Sequence, residues 1–241
     1  ADADVTFTMT IAGEDVDDAV SGDPLRLGAE TVLIELEVTN EGDDDLDLRT
    51  VRIAGSVIGF TFFSFSTRID LSVPEGETGE RIFELDLFEL ERQASGLMQG
   101  TVELLDNDNE VVTRQGFTVD ARGSNTSTYT VFGIIVLLLT VLAIVVCVRG
   151  LRQGTLPSNR WSRALRFAEA GGGIALTIVF SMSALRLLIL PGGIGLLLLL
   201  LGVAGGGAFG YVATSAPEPP SPDDPPVDLR NEELLSAERP V

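Results

Sequence analysis

Residues Tyr129–Val148 read YTVFGIIVLLLTVLAIVVCV, twenty consecutive positions without a charge. As a helix, a run of this length reaches about 30 Å, the thickness of a bilayer's hydrocarbon core. Such a run constrains the chain more than any other stretch. It divides the sequence into an aqueous head before it and a membrane base from it onward.

The charge follows the same division. The net charge is −20. Residues 1–128 hold 28 Asp or Glu against 8 Arg, and residues 129–241 hold 8 of each. An acidic head repels phosphate backbones, which argues against nucleic acid as a partner. The chain has no His, and its one cysteine, Cys147, lies inside the apolar run. An intrachain disulfide is therefore impossible, and a Ser–His–Asp, Cys–His, zinc or copper site of the usual type is not expected. No cofactor is expected. The opening Ala-Asp-Ala-Asp, without Met, matches an exported chain after signal cleavage or a trimmed one.

Residues 1–123 read as antiparallel β structure. Val5, Phe7, Met9 and Ile11 alternate with threonines, the period of a half-buried strand. Thr31–Thr39 alternates likewise, with Val32, Ile34 and Leu36 or the opposite parity available for a core. Further strands are expected over Leu46–Ile53, Ser56–Ser66, Arg68–Val73, Arg81–Leu87, Gln99–Leu105 and Glu110–Asp120. The Asp106-Asn107-Asp108-Asn109 segment is a hairpin turn by composition. Seven or eight short strands at this spacing predict an all-β Ig-like sandwich, without the Cys…Trp…Cys signature of antibody domains.

The runs VLIELEVTNEGDDDLDL, VPEGET and SGLMQGTVELLDNDNEVV resemble the CARDB or fibronectin-like sandwiches of prokaryotic surface proteins. The likeness lies in turn chemistry and covers roughly residues 5–120. It implies a partner-binding sandwich and carries over no catalytic residue.

The membrane half is expected to hold three transmembrane helices. Residues 124–148 comprise a polar linker, with an Asn125-Thr126-Ser127 glycosylation sequon, and the first helix. Residues 149–170 form a loop with five arginines and one acid. By the positive-inside rule this loop lies in the cytoplasm and the head outside it. In the loop, Trp161, Ala164, Leu165 and Ala168 share one helical face, with Arg160, Arg163 and Arg166 off it. This suits a helix lying in the headgroup layer, the alternative being a plain charged connector. Residues 171–190 and 194–213 are the second and third spans, with a Pro191-Gly192-Gly193 hairpin between them. Arg186 is expected to snorkel to the headgroups, ahead of a buried ion pair. Gly202, Gly206 and Gly210 make a small-xxx-small face, suited to packing inside this helix set or against another protein. Residues 214–241 are rich in Pro and acids and are expected to be a disordered cytoplasmic tail, with a brief helix at Asn231–Ala237 as an alternative.

Two features of the head invite site hypotheses. Asp43, Asp44, Asp45 and Asp47, and Asp106, Asp108 and Glu110, are the only plausible cation ligands. Both sets lack EF-hand spacing, and acidic turns without metal are the simpler reading. Phe60, Phe62, Phe63 and Phe65 put aromatics on both faces of one strand. A sandwich strand needs one apolar face, so the second face predicts a contact with a partner, the membrane surface or another loop, against simple burial. The expected protein is a multi-pass plasma-membrane, non-catalytic interaction module. It would be an accessory or structural subunit in a homo- or hetero-oligomer with other membrane or surface proteins. The alternative is a receptor that passes a signal to a cytoplasmic partner.

Overall fold

A computed structural model describes residues 5–20, 22–187 and 192–213. Nine strands and four helices follow in order: β1 (Val5–Ile11), β2 (Glu14–Asp15), β3 (Leu25–Leu27), β4 (Thr31–Asn40), β5 (Leu46–Val57), β6 (Phe60–Val73), β7 (Thr78–Asp86), α1 (Leu90–Gln93), β8 (Gly96–Asp106), β9 (Val111–Ala121), α2 (Thr128–Gln153), α3 (Arg160–Ala184) and α4 (Gly192–Val212). The proposed tail and Pro191 lie outside the described residues.

The strands form two sheets, ordered β2-β1-β4-β7 and β3-β9-β8-β5-β6. Pairing is antiparallel except for β3 on β9, which is parallel. The expected Ig-like sandwich is not what the structure shows. Nine strands replace seven or eight, and a parallel edge strand closes the larger sheet. Moreover, the β core is not self-contained: its buried cluster includes Tyr129 of α2 and Val179 and Phe180 of α3. Alternation and turn residues specify strands, but the partner of each strand is decided by which apolar faces meet. Here some of those faces are supplied by helices.

On β4, Val32, Ile34, Leu36 and Val38 are buried, while Leu33, Glu35 and Glu37 are exposed. Burying four branched or long aliphatics on one strand contributes on the order of 6–12 kcal/mol before entropy is counted. The end of the head far from the helices is tied by Asn40, which is 2% exposed. Its side-chain amide donates to Asp44 O (2.8 Å) and Val73 O (3.1 Å), and its Oδ1 accepts from Gly42 N (3.1 Å). One buried amide thus joins the β4–β5 turn to the end of β6.

In the larger sheet Phe63, Gly55, Gly100 and Phe117 are successive cross-strand partners. A Cβ on Gly55 would lie 2.1 Å from the Phe63 ring, and one on Gly100 2.4 Å from Phe117. The two rings lie over the two glycines, so the missing side chains are filled by aromatic area from neighbouring strands.

Three helices, α2, α3 and α4, are long and apolar enough to cross a membrane. Within its most apolar window α3 is 39% buried, against 11% for both α2 and α4. So α3 is the central helix, with α2 on one side and α4 on the other. The separate headgroup helix and second span expected from the sequence are one continuous helix, α3. Its apolar surface runs without a break from Ala164 and Phe167 through Ala170 and Ala175 to Val179 and Phe180.

Candidate functional site: the junction of head and apolar helices

The junction is built where the N-terminus of α2 and the C-terminus of α3 meet the start of β8 and the end of β9. Ser127 caps α2, its side chain accepting from Thr130 N. That cap fixes the first turn and aims Tyr129, which is 1% exposed, at α3. The Tyr129 hydroxyl donates to Ser183 Oγ (2.6 Å) and lies 3.3 Å from Phe180 O. Ser183 in turn donates to Leu97 O of β8 (2.5 Å). One serine hydroxyl therefore links two of the long apolar helices to a strand of the head. Gly96, at φ +111, lets the strand approach: a Cβ there would lie 2.8 Å from Ser183 O.

Beside this link Arg186 Nε donates to Asp120 Oδ1 at 2.7 Å. The Asp120 side chain is 10% exposed and that of Arg186 45%. Arg186 sits just past the end of α3 at φ +55, which turns it back toward β9. From the sequence Arg186 is expected at the headgroups, with an ion pair as the alternative. The structure instead gives it a carboxylate of the head, because β9 ends above the helix. Sequence reasoning missed Asp120 entirely; its only signal is a lone acid within the otherwise apolar end of β9, F-T-V-D-A.

The phenylalanines separate. Phe63 is buried against the sheet, and Phe65 packs partly buried beside it. Phe62 faces the helices, with ring centroids 4.7 Å from Tyr129, 5.8 Å from Phe132 and 5.9 Å from Phe180. The second aromatic face of β6 is thus met by the chain's own helices. Phe60 touches Phe132 at 5.8 Å and remains 50% exposed.

The glycine face also has an internal partner. A Cβ on Gly202 would lie 2.6 Å from Gly171 O, on Gly206 2.2 Å from Phe167 O, and on Gly210 2.7 Å from Arg163 O. The α3 and α4 backbones touch along these three turns. A polar contact missed from the sequence joins α2 to α3: Thr177 Oγ1 donates to Thr140 Oγ1 at 3.3 Å.

At the far end of the helices Trp161 is 71% exposed and meets Tyr211 edge-on at 5.7 Å. Arg160 sits over Tyr211, and Arg166 is exposed. Arg163, expected among the headgroup-facing arginines, is only 5% exposed. It donates to Pro157 O and Ser158 O (2.8 and 2.9 Å), closing the turn between α2 and α3. The helix places position 163 one turn before Phe167, on its packed face.

The acidic clusters serve turns. Asp106 Oδ1 accepts from Asp108 N and Glu110 N, both at 2.9 Å, and Asp45 Oδ1 from Glu75 N at 3.3 Å. Among the described residues no group of three or more His, Cys, Asp or Glu is gathered as a cation site.

No described protein family matches the sequence, and no curated protein is detectably similar to it. Solved structures give distant likenesses to about half the chain. An alkylpurine DNA glycosylase, AlkC, of Pseudomonas fluorescens is 12% identical over 49% of this chain and 31% of its own, with TM-score 0.32. A Niemann-Pick type C2 protein from Japanese carpenter ant is 9% identical over 50% of this chain and 94% of its own, with TM-score 0.37. OgpA from Akkermansia muciniphila is 12% identical over 50% and 29%, with TM-score 0.32. This chain thus spans under a third of the glycosylase and of OgpA. These scores carry no argument about function.

Proposed function

We propose that the protein is a non-catalytic, membrane-anchored interaction module, an accessory or structural subunit that holds a β head at a fixed attitude to the bilayer. The observation that carries this reading is the Leu97–Ser183–Tyr129 link with its neighbouring Asp120–Arg186 pair. A tethered binding domain needs only a linker. A head locked to two helices by buried hydrogen bonds presents its surface in one orientation, as a scaffold must. The plasma-membrane reading, with head outside and tail inside, rests on the five arginines at the end of α2 and the start of α3, four of them exposed.

Phe62, Phe63 and the glycine face are occupied internally, so the partner surface lies elsewhere. The outer face of β4 and β7 supports it best. There Leu33 (48% exposed) and Ile82 (62% exposed) stand as diagonal neighbours among Glu35, Glu37, Glu80 and Glu84. An apolar centre in an acidic rim suits a partner with a basic rim.

Purification from the native membrane in mild detergent tests the proposal. A stoichiometric partner is expected, lost on Leu33→Glu or Ile82→Glu with the head still folded. A monodisperse, partnerless monomer overturns it. The same link also favours a second reading, a receptor whose head moves α2 and α3. Ligand-dependent change in protease sensitivity on the cytoplasmic side would select that one.

A further inference from the structure

We propose that the turn of the β5–β6 hairpin, Val57–Phe60, is itself a membrane contact, buried in the leaflet on the head side of the bilayer. The inference rests on the reading that α2 crosses the membrane.

Three observations converge on the tip. The first is direction. Phe62 touches Tyr129 as well as Phe132, whereas Phe60, two residues nearer the turn, meets Phe132. The strand therefore descends along α2 toward the bilayer centre as it approaches its turn. The second is depth. The uncharged part of α2 ends at Val148, before Arg149, and twenty residues back from there, the length that just matches the hydrocarbon thickness, stands Tyr129. Phe132 is three residues in, about 5 Å below the boundary at 1.5 Å per residue. Phe60, with its ring centroid 5.8 Å from that of Phe132, lies at a similar level, and the turn lies beyond it.

The third is chemistry. Residues 53–67, IAGSVIGFTFFSFST, carry no charge, the longest such run in a head with 36 charged residues before α2. The turn pair Ile58-Gly59 has φ +50 and +79. Two-residue turns of this kind favour Asn or Asp with Gly, and a β-branched residue in the left-handed region is strained. An isoleucine there gives up turn stability for an aliphatic side chain that packs half-buried against the core and keeps the tip apolar. Val57 and Phe60 are paired in the ladder, whereas the backbone groups of Ile58 and Gly59 and the outer side of the edge strand β6 are not, which holds the tip to the shallow part of the leaflet, where water still reaches them. Phe60 would otherwise hold half its surface against water. The bilayer, already in contact with Phe132, covers it without another protein.

The test uses the full chain with Cys147→Ala, reconstituted in phosphatidylcholine vesicles. A polarity-sensitive fluorophore is placed singly on Phe60→Cys, Thr61→Cys, Val111→Cys or Leu138→Cys. Position 111 marks the far end of the head and position 138 the middle of α2. Quenching is read with lipids carrying a nitroxide near the headgroup or near mid-chain. The expected result is quenching at position 60 or 61 by the shallow nitroxide, severalfold stronger than at 111, with 138 quenched by the deep one. If 60 and 61 behave like 111 while 138 is quenched, the tip proposal is overturned, whether water or a partner protein covers it. If 138 is also unquenched, the membrane reading of α2 fails and the proposal with it. Resistance to trypsin at Arg122 reports that each labelled chain keeps its junction.

Discussion

Removing the hydroxyl of Ser183 should loosen the head from the membrane helices. Ser183 is 4% exposed, so water cannot replace what Ser183→Ala removes. Leu97 O loses its helix donor, and the Tyr129 hydroxyl keeps only the longer contact to Phe180 O. A buried group left unsatisfied costs roughly 1–3 kcal/mol, and two are affected here, one in part. Taking about 2 kcal/mol, the separated junction becomes about 30-fold more populated. The linker reports this population. It is pinned by Arg122 N on Leu27 O and Ser124 N on Glu91 O, and Gly123 packs hard against Ala94 O. Trypsin must free that backbone before cutting at Arg122, so under fast reclosing the cleavage rate follows the open fraction. Limited proteolysis in detergent should show cleavage at Arg122 accelerated by about 30-fold, on the ~2 kcal/mol taken above. Tyr129→Phe should have a smaller effect, and the double variant should fall short of the sum because the two share one bond. Wild-type cleavage of Ser183→Ala, with an unchanged global unfolding midpoint, would refute the claim that this hydroxyl holds the junction.

Other substitutions probe the remaining contacts. Arg186→Gln should weaken the junction by ~1 kcal/mol, since the guanidinium is nearly half exposed and partly screened; the same proteolysis should show a rise of about fivefold, diminishing as salt is added. Asn40→Ala removes three buried or half-buried hydrogen bonds, with an expected loss of ~2–4 kcal/mol in denaturant unfolding of the head. Gly206→Ala forces a methyl to within 2.2 Å of Phe167 O. It should cost ~1–3 kcal/mol and disturb the Trp161 fluorescence that reports the α3–α4 end. Gly205→Ala, whose Cβ meets nothing within 4 Å among the described residues, should leave that signal unchanged.

What could be read along the chain were properties of single segments. The charge-free length of Tyr129–Val148 and the alternation of β4 each follow from local composition against one solvent, lipid or water. The Phe-rich strand announced that both its faces needed cover, because aromatic area on two sides of a strand has no other resting place. Gly202, Gly206 and Gly210 announced a close backbone approach for the same local reason. The sequence by itself therefore determined which surfaces had to be satisfied. It did not determine by what. Ig-like pairing, a headgroup-bound Arg186 and a headgroup-facing Arg163 were each compatible with local pattern; the first two gave way to contacts from segments distant in sequence, and Arg163 to the turn just before its own helix. Ser183 reaches Leu97 across 86 positions and Arg186 reaches Asp120 across 66. A serine late in an apolar helix carries no mark of such a role. Only the tertiary structure brings the end of α3 under β8 and β9, and only there does an ordinary hydroxyl become the link between head and helices.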